Sequence, residues 1–109
     1  MSNFHHTADI PSIRVDEGHV LHCRIVREDG EHVDARIDLN SCIGNENGHF
    51  QWGGQNFAET AREIRFNIEG ETQPILRAQL KSLDDQWEDR DINLTERIMN
   101  RDGQLVFEL

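Results

Sequence analysis

Ile37-Asp38-Leu39-Asn40-Ser41-Cys42-Ile43-Gly44-Asn45-Glu46-Asn47-Gly48-His49-Phe50 is answered, 55 residues later, by Ile92-Asn93-Leu94-Thr95-Glu96-Arg97-Ile98-Met99-Asn100-Arg101-Asp102-Gly103-Gln104-Leu105. Apolar positions coincide, as do the turn pairs Asn47-Gly48 and Asp102-Gly103. Self-similarity at a fixed offset marks an internal duplication. The same offset carries Leu21-His22-Cys23-Arg24-Ile25 onto Leu76-Arg77-Ala78-Gln79-Leu80. Near the start of each copy the offset is 53, taking Asn3-Phe4-His5-His6-Thr7-Ala8 onto Asn56-Phe57-Ala58-Glu59-Thr60-Ala61, and Ile13-Arg14-Val15 onto Phe66-Asn67-Ile68. The second copy is therefore expected to gain two residues around Glu71 to Pro74. Repeat one spans 1–54 and repeat two 55–109 of one domain, joined at Gly53-Gly54.

Each copy reads as short strands and tight turns, with no apolar pattern long enough for a real helix, so the expected class is all-β. Val20 to Arg27 alternates and places Cys23 inward with Leu21 and Ile25. Asp29-Gly30 then supplies a two-residue hairpin turn, and His32 to Asp38 returns. Ile75 to Ile92 repeats this through Asp84-Asp85. Asn56 is expected to cap a helical turn over Phe57 to Ala61, with Glu59 closing a capping box. Single turns are also expected after Asp38 and Asn93. One copy of about 50 residues is marginal alone, which points to a shared core.

Composition narrows the function classes. Eleven Lys and Arg against 21 Asp and Glu leave a formal charge of −10. Such a surface repels phosphate backbones and anionic lipid, so neither nucleic acid nor membrane is an expected partner. No apolar run approaches the roughly 20 residues of a membrane span. Met1 to Ile10 lacks the apolar centre of a secretory signal, so a cytoplasmic location is expected. Cys23 and Cys42 have no metal-type spacing and read as buried free thiols.

Taken together, Asn-Phe-x-x-Thr-Ala in both copies, Ile37-Asp38-Leu39-Asn40 running into Ile43-Gly44-Asn45 and Gly48-His49-Phe50-Gln51-Trp52, and Ile92-Asn93-Leu94 with the closing Asn100-Arg101-Asp102-Gly103 resemble the cyanovirin-N homology family over nearly the whole chain. The resemblance implies two pseudo-symmetric halves, each a three-stranded sheet plus a β-hairpin, with segments exchanged between them. It implies a lectin that recognises mannose-containing oligosaccharides, especially terminal α1→2-linked mannose, without catalysis and without a cofactor. A scaffold module with the same fold and weak or lost sugar binding is the alternative. Where relatives carry one disulfide per copy, this chain has Ala8 with Ile25 and Ala61 with Leu80. The Gly53-Gly54 linker favours a monomer over a domain-swapped dimer.

Two sugar sites follow from the resemblance. The central one, the favoured of the two, uses Asn45, Asn47, Gln55, Asn56, Glu59, Thr60, Lys81, Ser82 and Asp85; Gly44 stands where relatives can have an acid, and Leu83 where they can have an arginine. The second brings the chain ends together through Asn3, Thr7, Glu28, Asn100, Arg101 and Asp102, with Val26 in place of a polar contact. Carboxylates, amides and turn backbone match the fixed spacing of vicinal hydroxyls on a pyranose. Turn and cap chemistry would use several of the same residues with no ligand present.

Other groupings carry less. His5-His6 is adjacent, and neighbouring strand residues point oppositely; with His19, His22, His32 and His49 it shows no ligand spacing, so these read as solvated histidines. Trp52 and Trp87 read as core or inter-half packing. The acids fall on turns and exposed strand positions, with no nucleophile–base arrangement, so no enzyme is expected.

Overall fold

In chain order the strands are β1 (Ser2–Asn3), β2 (Arg14–Asp16), β3 (Val20–Val26), β4 (His32–Asp38), β5 (Ile43–Glu46), β6 (His49–Trp52), β7 (Ala61–Glu69), β8 (Gln73–Lys81), β9 (Trp87–Asn93), β10 (Ile98–Arg101) and β11 (Gln104–Phe107). The computed structural model describes residues 2–70 and 72–109. Glu71, at the expected insertion, lies outside the described residues. All pairings are antiparallel, in sheets β2-β3-β4 and β7-β8-β9, the hairpin β5-β6, and β10-β11 with β1 added at its edge. Alternation decides which face is buried: Leu21, Cys23 and Ile25 of β3 are fully buried, and so are Leu76 and Leu80 of β8.

Asn47-Gly48 and Asp102-Gly103 form the two-residue turns of the long hairpins, all four with positive φ (49°, 83°, 47° and 87°). Those angles match the right-handed twist of the flanking strands. Single 3-10 turns follow Asp38 and Asn93, whose side chains accept from the amides of Asn40 and Thr95 at 2.9 Å.

Three local expectations are corrected. The turn at Asp29-Gly30 is a three-residue loop: the Gly30 amide donates to Arg27 and the Arg27 amide to Glu31. Only Gly30 in it has a positive φ, and Asp85 takes that conformation in the second copy. The capping box does not form. Asn56 sits in the left-handed region with no side-chain cap, and Asn40 Oδ1 accepts from the Ala58 amide instead. Ile13-Arg14-Val15 does not match Phe66-Asn67-Ile68. Val15 pairs with Leu21 and Phe66 with Leu76, so Val15 is equivalent to Phe66. Six positions separate the first pair and ten the second, an insertion of four rather than two. Pro11 within a 3-10 turn lengthens the first copy ahead of β2, and a bulge between Arg62 and Arg65 marks the second.

The hairpins are exchanged. Hairpin β5-β6 of repeat one docks on β9 of repeat two, and β11 of repeat two lies along β4 of repeat one. Both halves contribute to one apolar cluster that includes Phe4, Leu39, Ile43, Phe57, Leu94 and Ile98. At the linker, Gly44 and Gly54 pack backbone to backbone: a Cβ on Gly44 would stand 2.9 Å from the Gln55 amide nitrogen. No real Cβ tolerates that approach, so an acid at Gly44 would require a different linker path. The missing disulfides appear as ordinary pairs, Ala8 bridged to Ile25 and Ala61 to Leu80.

Candidate functional site

The exchanged hairpins are fastened by one device used twice. Asn100 Nδ2 donates to Thr7 Oγ1 at 2.7 Å and to the Val26 carbonyl at 2.9 Å, while its Oδ1 accepts from the Gly103 amide. Asn45 Nδ2 donates to Thr60 Oγ1 at 2.8 Å and to the Lys81 carbonyl at 2.9 Å, while its Oδ1 accepts from the Gly48 amide. The turn residues add a second contact each. Asp102 Oδ1 accepts from the Glu28 amide, and Asn47 Oδ1 accepts from the Leu83 amide. Every partner in one half is the repeat equivalent of its partner in the other.

In the half containing the chain ends, this docking leaves a cleft of about 350 Å³ lined by Thr7, Val26, Arg27, Glu28, Asn100, Arg101 and Asp102. Apart from Asn3, whose side chain lies outside what the structure describes, every residue expected in the termini site is present. Their tasks differ. Asn100 is 8% exposed and both its donors are engaged, so it shapes the cleft more than it faces it. Asp102 is exposed and Glu28 offers an exposed carboxylate. Arg101 is paired with Glu108, which steers the guanidinium toward the chain end. Arg27 was missed from sequence. Its Nε is buried without a hydrogen bond and lies 4.0 Å from Asp102 Oδ1. The repeat carried the signal, since Arg27 is the equivalent of Ser82, already named in the other site.

The central site is assembled in part. Asn45, Thr60 and Lys81 meet through the clamp, and Asn47 meets the following turn at Leu83. Ser82 Oγ accepts from the Gln86 amide, and Lys81 Nζ pairs with Asp85 at 3.4 Å across the turn. Glu59 is exposed beside Thr60. Gln55 and Asn56 run along the linker, with the Gln55 amide against Gly44 and the Asn56 amide donating to Asn40. Among the described residues no hydrogen bond ties those two to Asn47, Ser82 or Asp85.

The remaining groups divide differently from expectation. Trp52 stacks on Phe107 across the two halves, as inter-half packing requires. Trp87 is outside the apolar cluster and half-buried beneath the guanidinium of Arg62 from its own repeat, whose carbon lies 4.1 Å from the ring centroid. His5 and His6 do not point oppositely, because they share a 3-10 turn with Phe4, and their rings lie 4.1 Å apart. Burial and the neighbouring His6 lower the His5 pKa. Cys23 and Cys42 are free and buried; burial, reinforced by Asp34, pushes Cys23 up to about 12. Burial likewise raises Cys42 to about 11, with a Ser41 hydrogen bond pulling the other way and Asp38 adding to the rise.

A family model described as CVNH domain matches residues 4–106. A cyanovirin-N homolog of Neurospora crassa is 51% identical over 105 residues, 94% of this chain and 95% of its own length. The solution structure of a CVNH protein from Gibberella zeae superposes with a TM-score of 0.90 at 40% identity, covering 98% of both chains. Two further solved structures hold saccharides. A MoCVNH3 variant in complex with (N-GlcNAc)4 is 25% identical at a TM-score of 0.84, covering 98% of this chain and 97% of its own. Microvirin in complex with mannobiose is 33% identical at 0.79, covering 99% and 100%.

Proposed function

The chain belongs to the CVNH domain family, and from that premise we propose that it is a non-catalytic lectin that binds mannose-containing oligosaccharides, terminal α1→2-linked mannose above all. The observation that carries the reading is the 350 Å³ cleft on the chain-end half, walled by the Glu28 and Asp102 carboxylates and floored by Val26. Acids accept from vicinal hydroxyls, and an apolar floor suits the C–H face of a pyranose. Each net hydrogen bond contributes about 0.5–1.5 kcal/mol, so a handful supports a dissociation constant on the order of micromolar to millimolar. The saccharides held by two structural neighbours support glycans as the ligand class.

The chain-end cleft is the primary site in this reading, and the central cluster is a second, shallower one in which the Lys81–Asp85 pair must be displaced or shared. The chain acts as a monomer, each hairpin returned onto its own partner half, in a reducing compartment suited to two buried thiols. The scaffold alternative draws on the exposed Leu83 turn and on Arg101, a large charge beside the cleft.

Calorimetric titration with α1→2-mannobiose tests the proposal, run on the unmodified chain, Asp102→Ala and Glu59→Ala. Asp102→Ala is expected to weaken the stronger site about tenfold, equivalent to one charged hydrogen bond, and Glu59→Ala to leave that site unchanged. Absence of binding to the unmodified, folded chain would favour the scaffold alternative.

A further inference from the structure

Asn47-Gly48 sets a carboxamide before an amide nitrogen that no side chain shields, the combination that lets an asparagine close on its own backbone. Asn47 is exposed, at the tip of hairpin β5-β6. With the hairpin docked, neither reacting group is free. The Gly48 amide donates to Asn45 Oδ1 at 2.8 Å, and Asn47 Oδ1 accepts from the Leu83 amide at 2.9 Å. The Gly48 carbonyl accepts from Arg90 Nε at 2.7 Å, and Glu88 and Ser82 close around the buried glycine.

The other long hairpin already carries the acid that such a closure yields. Asp102-Gly103 makes the same turn, with φ of 47° and 87° against 49° and 83° for Asn47-Gly48. Asp102 Oδ1 accepts from the Glu28 amide as Asn47 Oδ1 does from Leu83. A carboxylate therefore fits this turn. The surrounding lock differs. Arg90 lies opposite Ala78, and its repeat equivalent is Ala35, opposite Cys23. Between Ala35 and Gly103 an open pocket of about 370 Å³ remains. The guanidinium that holds the turn glycine is present where the turn residue is Asn and replaced by alanine where it is Asp.

We propose that Asn47 is a site of spontaneous deamidation, gated by the docking of hairpin β5-β6 on the second half. When the hairpin lifts, the Gly48 amide nitrogen attacks Asn47 Cγ. The new N–Cγ bond forms, the Cγ–Nδ2 bond breaks, and Nδ2 leaves as ammonia with the proton from the Gly48 nitrogen. Water then opens the succinimide. Its addition at Cγ restores the backbone and gives aspartate; its addition at the main-chain carbonyl carbon gives isoaspartate, with one more carbon in the backbone. The aspartate form re-docks as Asp102 does, whereas the longer backbone of the isoaspartate form displaces the turn. Re-docking places a carboxylate in the central cluster where the chain-end cleft has Asp102. The rate follows local opening of this hairpin, not unfolding of the whole chain.

Peptide mapping by mass tests this, with the chain incubated in mildly alkaline buffer either folded or unfolded in guanidinium chloride. Conversion at Asn47 is expected in both, slower by about tenfold or more in the folded chain. Arg90→Gln is expected to speed the folded chain about tenfold, the equivalent of about 1.4 kcal/mol in the opening equilibrium. Arg90→Lys, the milder change, should move the rate the same way. Asn100→Ala, which loosens the other hairpin, is expected to leave the rate as it is. Asn47→Asp is expected to fold with its Leu83 amide still protected from hydrogen exchange. No conversion at Asn47 in either state would overturn the site. A folded rate equal to the unfolded one, or equal acceleration by Arg90→Gln and Asn100→Ala, would overturn the gate. An unprotected Leu83 amide in folded Asn47→Asp would overturn the re-docking.

Discussion

Trp52 and Phe107 stack with ring centroids 5.8 Å apart and planes 13° from parallel, and they occupy the same position in the two copies. A residue can touch its own repeat equivalent only near the axis that relates the halves. The stack therefore marks where the pseudo-two-fold passes, at the ends of β6 and β11. One exchanged hairpin ends on each side of it.

Trp52→Ala is expected to lower stability by about 2 kcal/mol, less than a fully buried aromatic because both rings are only half-buried. Urea unfolding would register it, and Phe107→Ala should show a loss of similar size. A double variant less destabilised than the sum would report the ring contact itself. Additive losses would mean that the two rings are independently packed.

Asn100→Ala removes both donated bonds and the one accepted bond of a nearly buried amide, and strands the Val26 carbonyl and Gly103 amide. A loss of about 2–3 kcal/mol is expected. Asn45→Ala deletes the same set from a more exposed site and should cost less. Thermal unfolding of the two variants gives the order; equal losses would mean that burial does not distinguish the clamps.

Both thiols have folded pKa values above their usual one, so they stabilise the fold while neutral and progressively less as pH rises. Below about 9 their contribution is complete. Between about 9 and the folded values near 11 for Cys42 and 12 for Cys23, the unfolded chain loses protons that the folded chain keeps. Each thiol then removes about 1.4 kcal/mol per pH unit. Urea midpoints at pH 8, 9.5 and 10.5 should fall, and the decline should be shallower in Cys23→Ala. The same slope in that variant would remove Cys23 as a source.

Ala61 and Leu80 are direct partners in the β7-β8 register. Ala61→Cys/Leu80→Cys should form a bridge under oxidising conditions, and closing a loop of about 20 residues should raise stability by about 3 kcal/mol over the reduced form of the same variant. Comparing oxidised and reduced unfolding midpoints removes the effect of truncating Leu80. A variant in which thiol titration still finds four free cysteines would contradict the pairing.

The duplication made the architecture readable, because one strand–hairpin pattern written twice can bury its apolar faces only against its own copy. Ile43, Leu94 and Ile98 landed in the core for that reason. Where the copies differ in length, reading failed: Val15 and Phe66 are equivalent although the sequence match had paired Val15 with Ile68, since a proline turn and a bulge leave little trace in apolar spacing. Asn56 misled in another way, because its residue type fits both an N-cap and a left-handed linker position, and Asn40 from a distant segment took the cap. In the chain-end site, the turn residues were readable from the repeat, but the distinction between Asn100, consumed by the clamp, and Asp102, open to a ligand, depends on burial that no spacing encodes.

Amide shift mapping of the unmodified chain during addition of α1→2-mannobiose measures binding and location at once. Saturable shifts at Thr7, at residues 26–28 and at residues 100–102 are expected, with smaller ones around Asn47 and Ser82. Shifts absent from the chain-end cleft at millimolar saccharide would contradict it.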